Sequence, residues 1–300
     1  MKTSHSEVDT YLSCRRKHWY GYGRKLERKV HSTALNRGKA GHAVLETYYR
    51  AAMQGYSHER AVAEARHHFQ NIKSQGVGDE PLVNGGFKHT ELEVLLFEWY
   101  FENEPFYTHG WEILAVEKEF LFEYEEGKFM PLVIDLIARN PQGKIVVIDH
   151  KITYDFYSER DMKIQSQLPK YVGAIRAMGL PAEKAAYNML RYRKQKAMTV
   201  DKVLSWVYLD MNDARVLTAF QEQIGVAGEI AERKLLPLEV QDKTAFRAAN
   251  KMVCNSCAFL DLCNTELIDG DTELMIHTEY KTKTPRNFGT TPDIQEDELV

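Results

Sequence analysis

The chain has 300 residues, 44% hydrophobic and 27% charged, with a formal net charge of -4, enough for a real core in one large domain or two small ones. No apolar run approaches the ~20 residues that span a bilayer, and the start MKTSHSEVDT lacks a basic stretch followed by an apolar one, so the expectation is a cytoplasmic protein with no membrane partner. The global charge excludes indiscriminate polyanion binding, but residues 15–29 carry seven Lys/Arg against one Glu and residues 293–300 carry four acids and no base, so nucleic-acid binding would have to rest on patches.

Residues 5–22 predict a first helix that runs into the basic, aromatic stretch CRRKHWYGYGRK. Arg15, Arg16, Lys17, Trp19, Tyr20, Tyr22, Arg24 and Lys25 interleave cations with rings, which suits a single-stranded path with cations on phosphate and rings on bases. The other reading is that Trp19 and Tyr20 simply pack the first helix. Helices follow over 36–54 and 57–74: Ala43, Leu45, Tyr48 and Tyr49 fall at helical spacing, and Ser57 is a natural N-cap. Gly76 to His89, Gly-rich and with Pro81, reads as a mobile loop before a helix over 90–104. Strands are expected over 113–124, 129–138 and 144–151, a helix over 160–178, strands over 184–193 and 203–209, and a helix over 212–233. That order, one helix, three strands, a helix and a strand, defines an α/β domain with a mixed sheet. Arg191, Arg193, Lys194 and Lys196 form a second basic patch, whereas His67, His68 and His89 have no ligand spacing and are read as surface residues. Residues 1–264 read as one domain. From Asn264 onward Asp, Glu, Thr and Pro dominate, so residues 265–300 are expected to be a flexible acidic tail.

The run Lys144 to Lys151, KIVVIDHK, holds the most chemistry. Asp149 and Lys151 lie two apart on a strand and leave by the same face. The turn Asn140–Pro141–Gln142–Gly143 would close a hairpin with Val133–Ile134–Asp135, setting Asp135 opposite or diagonal to Asp149, about 5 Å away at Cβ if directly opposed. Two carboxylates that close need a proton or a cation between them. His42 sits on a predicted helix with Glu46 one turn later. His42, Asp135 and Asp149, with the backbone carbonyl of His150 and waters, would suit a hard divalent cation, Mg²⁺ or, given the imidazole, Mn²⁺. Lys151 beside them points to metal-assisted phosphodiester hydrolysis. Glu46 is either a partner for His42 or a surface acid.

On these residues the chain resembles the PD-(D/E)XK nuclease superfamily, and within it the RecB-like and CRISPR-associated iron–sulfur exonuclease branch. Gly38–His42 matches its helical Gly-x-x-x-His motif, Asp135 the aspartate of its second strand, Asp149–His150–Lys151 its Asp-x-Lys, and Gln167–Tyr171 its Gln-x-x-x-Tyr. The resemblance covers about residues 1–264. It implies a restriction-endonuclease-like αβββαβ core with a mixed central sheet flanked by helices and a helical N-terminal insertion. It also implies catalysis by Asp135, Asp149 and Lys151 and DNA contacts through Gln167 and Tyr171. Two departures stand out. Pro131 lies four residues before Asp135, so the Pro–Asp pair is absent. Pro169 falls inside Gln-x-x-x-Tyr, so the helix is expected to begin at Pro169 and leave Gln167 ahead of it.

The four cysteines are Cys14, Cys254, Cys257 and Cys263. Their spacing is unlike paired zinc knuckles, and disulfides are disfavoured in a reducing compartment. In the resembled branch a one-plus-three arrangement holds a 4Fe–4S cluster that staples the two ends of the domain, with structural zinc as the rival. The resulting expectation is a Mg²⁺- or Mn²⁺-dependent DNA exonuclease of recombination, repair or phage DNA processing. A helicase, an annealing protein or a CRISPR adaptation protein would be its partner. The alternatives are a DNA-binding iron–sulfur module without catalysis and, more distantly, an iron–sulfur oxidoreductase, for which no Rossmann glycine pattern is present.

Overall fold

A computed structural model describes residues 1–75, 89–103, 106, 109–194 and 196–284. The described residues divide into two compact units, one drawn from residues 1–31, 120–132 and 221–284, the other from residues 32–119 and 133–220. Among the described residues no helix is long and apolar enough to cross a membrane.

The second unit carries a five-stranded mixed sheet in the order β2-β3-β4-β5-β6, formed by Glu112–Glu125, Lys128–Arg139, Ile145–Thr153, Ala182–Arg191 and Leu204–Asp210; the adjoining ends of β2 and β3 count with the first unit. Strand β4 is central, and Ile145 to Ile148 are all buried, the continuous apolar run expected of a strand covered on both faces. It pairs antiparallel with β3 through Leu136–Ile148 and parallel with β5 through Asp149–Tyr187 and His150–Asn188. The β3–β4 turn is held by Asn140 Oδ1, which accepts from the N–H groups of Gln142 and Lys144, and by Gly143 at φ +76°. A parallel pair needs a crossover, supplied here by helices α6 (Glu159–Ile164) and α7 (Gln167–Ala177).

Three further helices cover the sheet: α3 (Thr33–Met53), α4 (His58–Gln75) and α5 (His89–Val94), the last running on as a π-helical turn, Leu95–Tyr100. Ser32 caps α3 by accepting from Leu35 N–H, and Ser57 accepts from Arg60 N–H at the start of α4. The buried stripe Ala40, Val44, Leu45, Tyr48, Tyr49 joins Phe69, Leu92, Leu96, Tyr100, Val146, Ile148 and Leu190 in one core. Helix α3 comes close to β4 because residue 41 is glycine: a Cβ there would lie 1.8 Å from Ile152 Cδ1. The αβββαβ order with a mixed sheet flanked by helices is therefore present, consistent with a restriction-endonuclease-like fold.

The first unit contains α1 (His5–Ser13), α2 (Arg15–His18) continuing as a π-helical turn over Trp19–Gly23, and β1 (Leu26–Arg28). Its later elements include Lys251–Asn255, Leu260–Leu267, Thr272–Glu279 and β7 (Tyr280–Thr282). Strand β7 pairs antiparallel with β1, Arg28 opposite Tyr280. This corrects the expected boundary of the tail: residues 272–282 form a helix and a strand. The reason is one ring. Tyr280 is buried, stacks on Phe259 at 5.6 Å and donates to the Ala258 carbonyl, anchoring a segment whose composition reads as unstructured. The rest of the expected tail from Pro285, and the expected loop from Gly76 to Lys88, lie outside the described residues.

Candidate active site

The second unit brings His42, Asp135, Asp149, Lys151, Gln167 and Tyr171 together. Ladder pairing of β3 and β4 stops at Leu136–Ile148; one step further, Asp135 Oδ2 accepts from the His150 N–H at 2.8 Å, so the hairpin continues through a side chain. Asp149 is buried, and its Oδ2 lies 2.7 Å from Lys151 Nζ. Gln167 Nε2 donates to Asp149 Oδ1 (2.9 Å) and to Tyr171 Oη (3.0 Å), while its Oε1 is 3.4 Å from Lys151 Nζ.

Helix α7 thus starts at Gln167, two residues earlier than Pro169 suggested. The ring of Pro169 would oppose the carbonyl of Gln165, but Gln165 is extended (ψ 138°) and precedes the helix. A proline in the first turn also lacks only an N–H that would have no helical partner there. Gln167 and Tyr171 therefore share one helical face at i, i+4 and meet beside Asp149.

His42 lies on α3, its Nδ1 3.5 Å from Asp135 Oδ2 and 3.8 Å from Glu117 Oε1. His42, Glu117 and Asp135 each offer a ligand atom within 4.8 Å of the others. Glu117 escaped the sequence reading. It sits in β2 with a left-handed backbone, φ +45°, costing of order 1–3 kcal/mol and breaking the inside–outside alternation of the strand after three consecutive buried residues, Leu114 to Val116. Nothing in the sequence separates it from the other acids of that strand. Glu46 pairs with Arg50 at 2.8 Å instead of His42; it is a surface acid.

Crowded carboxylates dominate the electrostatics. Burial pushes His42 down, but Asp135, Glu117 and Asp149 outweigh it and hold the imidazole up at about 9. Burial raises Asp135, and the neighbouring Asp149 and Glu117 add to this against His42 and the His150 N–H, giving about 7. For Lys151 the penalty of burial is outweighed by Asp149 and Asp135, so the ammonium stays charged. Tyr171 is raised by burial and by Asp149 and stays protonated. His150, between Asp149 and Lys151, points into the core, where Tyr49 stacks on it (5.5 Å) and Asn188 Nδ2 lies 3.1 Å from its Nδ1. Burial, then His42 and Lys151, push it down to about 3, so it is neutral. Asn188, fully buried, also donates to Tyr100 Oη; an amide amid the largely apolar run AAYNML was its sequence signal.

The DNA-contact residues expected in the first unit need correction. Trp19, Tyr20 and Arg16 are buried. Trp19 and Tyr20 belong to a core with Leu26, Phe259, Leu262 and Tyr280. Arg16 is bonded to Tyr20 Oη, Asp242 and Glu266. Burying rings in a domain that wraps its own N-terminus outweighs leaving them for a ligand. Arg15 remains half-exposed, 3.7 Å from Glu229. In the second patch Arg191 and Arg193 share Asp155 at 3.0 and 2.6 Å.

Cys14, Cys254, Cys257 and Cys263 line one cavity of about 380 Å³ together with Arg16, Lys17 and Arg247. Arg247 Nε lies 3.0 Å from Cys263 Sγ, and the Lys17 and Ala248 N–H groups point at Cys14 Sγ. Four cysteine sulfurs with cations at the rim form a donor set for a metal ion or a metal cluster.

The sequence profile of the PD-(D/E)XK nuclease superfamily matches residues 2–264. The chain belongs to that superfamily. Among solved structures 12 chains match; one of them, titled "Crystal structure of SSO0001", is 15% identical, with 87% of this chain and 85% of that one covered and a TM-score of 0.36. No curated protein matches the chain.

Proposed function

We propose that the protein is a metal-dependent DNA exonuclease that hydrolyses phosphodiester bonds of single-stranded DNA or of duplex ends, serving recombination, repair or phage DNA processing. The observation that carries this reading is the bonded set Asp149–Lys151–Gln167–Tyr171 standing beside His42 and Asp135. His42, Asp135, Asp149 and the His150 carbonyl would hold Mg²⁺ or Mn²⁺; the donor set fits, being carboxylate-rich with one imidazole, and the crowding that raises Asp135 is what a cation relieves. Such a cation supplies a Lewis acid for a phosphoryl oxygen and lowers the pKa of a bound water.

The chain's own residues do the rest. A water oxygen attacks phosphorus and gives up a proton to solvent, the P–O ester bond breaks, and the departing oxygen takes up a proton from solvent. Lys151, charged and fixed by Asp149 and Gln167, offsets the negative charge that grows on the phosphate. Gln167 restrains Asp149 and Lys151 together, and Tyr171 keeps its proton as a donor. A purely DNA-binding role leaves the buried Asp149 carboxylate and its partner Lys151 without a purpose, since burying an ion costs stability.

In the first unit the four cysteines would hold a 4Fe–4S cluster, with Lys17 and Arg247 offsetting its charge. A helicase, an annealing protein or a CRISPR adaptation protein would present the DNA end. Single strands and duplexes labelled at the 5′ or the 3′ end, incubated with Mg²⁺, Mn²⁺ or a chelator, test the activity. Stepwise shortening from one end only with metal is expected; intact DNA under every condition would contradict it.

A further inference from the structure

We infer that Glu117 binds the active-site cation directly, as a ligand from β2 that no motif of the sequence marks. The inference rests on the nuclease reading and adds a residue to its site.

The ligand atoms of His42, Glu117 and Asp135 face one another at separations longer than a close ion pair. Nδ1 of His42 lies 3.8 Å from Glu117 Oε1 and 3.5 Å from Asp135 Oδ2. Lys151 and Asp149, in the same site, close to 2.7 Å. An octahedral cation with ligands at ~2.1 Å sets neighbouring donors about 3 Å apart and opposite ones about 4.2 Å apart. The two separations from His42 fall between those values, and all three ligand atoms lie within 4.8 Å of one another, so the three residues leave room for an ion.

Charge points the same way. Glu117, Asp135 and Asp149 bring three carboxylates to the site against one lysine, Lys151, once His42 is neutral enough to bind metal. The balance is two negative charges, matched by one divalent cation. The simpler alternative makes Glu117 a counter-ion that only orients His42, and the two roles differ in what touches the metal.

The test uses the anaerobically purified full chain. Glu117→Gln is compared with Asp135→Asn and with Glu119→Gln, an acid of the same strand, by counting free Mn²⁺ through its electron paramagnetic resonance signal. Glu117→Gln should weaken Mn²⁺ roughly tenfold or more, with Glu119→Gln unchanged. Glu117→Cys titrated with Co²⁺ should show a sulfur-to-cobalt absorption band absent from the wild type treated identically. Weaker Mn²⁺ binding without that band would overturn direct ligation in favour of positioning through His42. Wild-type affinity in Glu117→Gln would overturn the inference while leaving the site intact. If Asp135→Asn also bound Mn²⁺ as well as the wild type, the nuclease reading itself would fall.

Discussion

At the scale of single residues, the site stores like charges that only a proton or a cation can reconcile. His42 is held up at about 9 by the carboxylates around it, so near neutral pH it carries a proton that metal must displace. A raised pKa means the competing proton is lost only as pH climbs toward that value. Mn²⁺ affinity should therefore increase from pH 6 to pH 9 by up to about tenfold per unit, with proton release on binding. Calorimetry in buffers of different ionisation enthalpy measures this directly; pH-independent binding with no proton released would show that His42 is not a ligand. Asp135, Asp149, Lys151 and His42 were legible because residue type and motif spacing converge on them. Glu117 was not, because its role depends on a left-handed turn of backbone inside β2 that no local pattern announces.

At the scale of elements, the contact of α3 with β4 positions His42 against Asp135. Gly41 permits it and Gly38 does not take part: a Cβ at Gly41 would run into Ile152, whereas one at Gly38 meets nothing within 4 Å. Gly41→Ala should cost about 1–3 kcal/mol and misplace His42, whereas Gly38→Ala, inside a helix, should be neutral or stabilise by up to about 1 kcal/mol. Denaturant melts of the two variants check this, and equal effects would mean that the helix–strand contact is not what sets the site. The strands and most helices were readable from periodicity, and the order of elements with them. Helix α7 was misread at its start because the cost of a proline depends on whether the residue four before it is helical, a fact of tertiary path. The ladder of β1 with β7 was invisible for a related reason: partners more than 250 residues apart leave no local pattern, and one buried tyrosine decides the pairing.

At the scale of the whole molecule, Cys14 and the three later cysteines tie residues about 240 apart to one cavity. Metal bonds there would restrict the unfolded chain and contribute directly to folding. Elemental analysis of protein purified without oxygen should find about four irons per chain, and Cys14→Ser should lose iron and melt earlier; one zinc and no iron would replace the cluster with a zinc staple. Of the basic, aromatic stretch that looked like a DNA path, Trp19 and Tyr20 belong to the core of this unit and Arg16 is buried beside them. The central claim, that Asp149 and Lys151 perform metal-assisted hydrolysis, is tested most directly by Lys151→Ala. Cleavage of end-labelled single-stranded DNA in Mn²⁺ is measured beside DNA binding and Mn²⁺ binding in the same preparation. Turnover should fall at least about a hundredfold, with metal and DNA still bound; cleavage at the wild-type rate would show that Lys151 takes no part in the reaction.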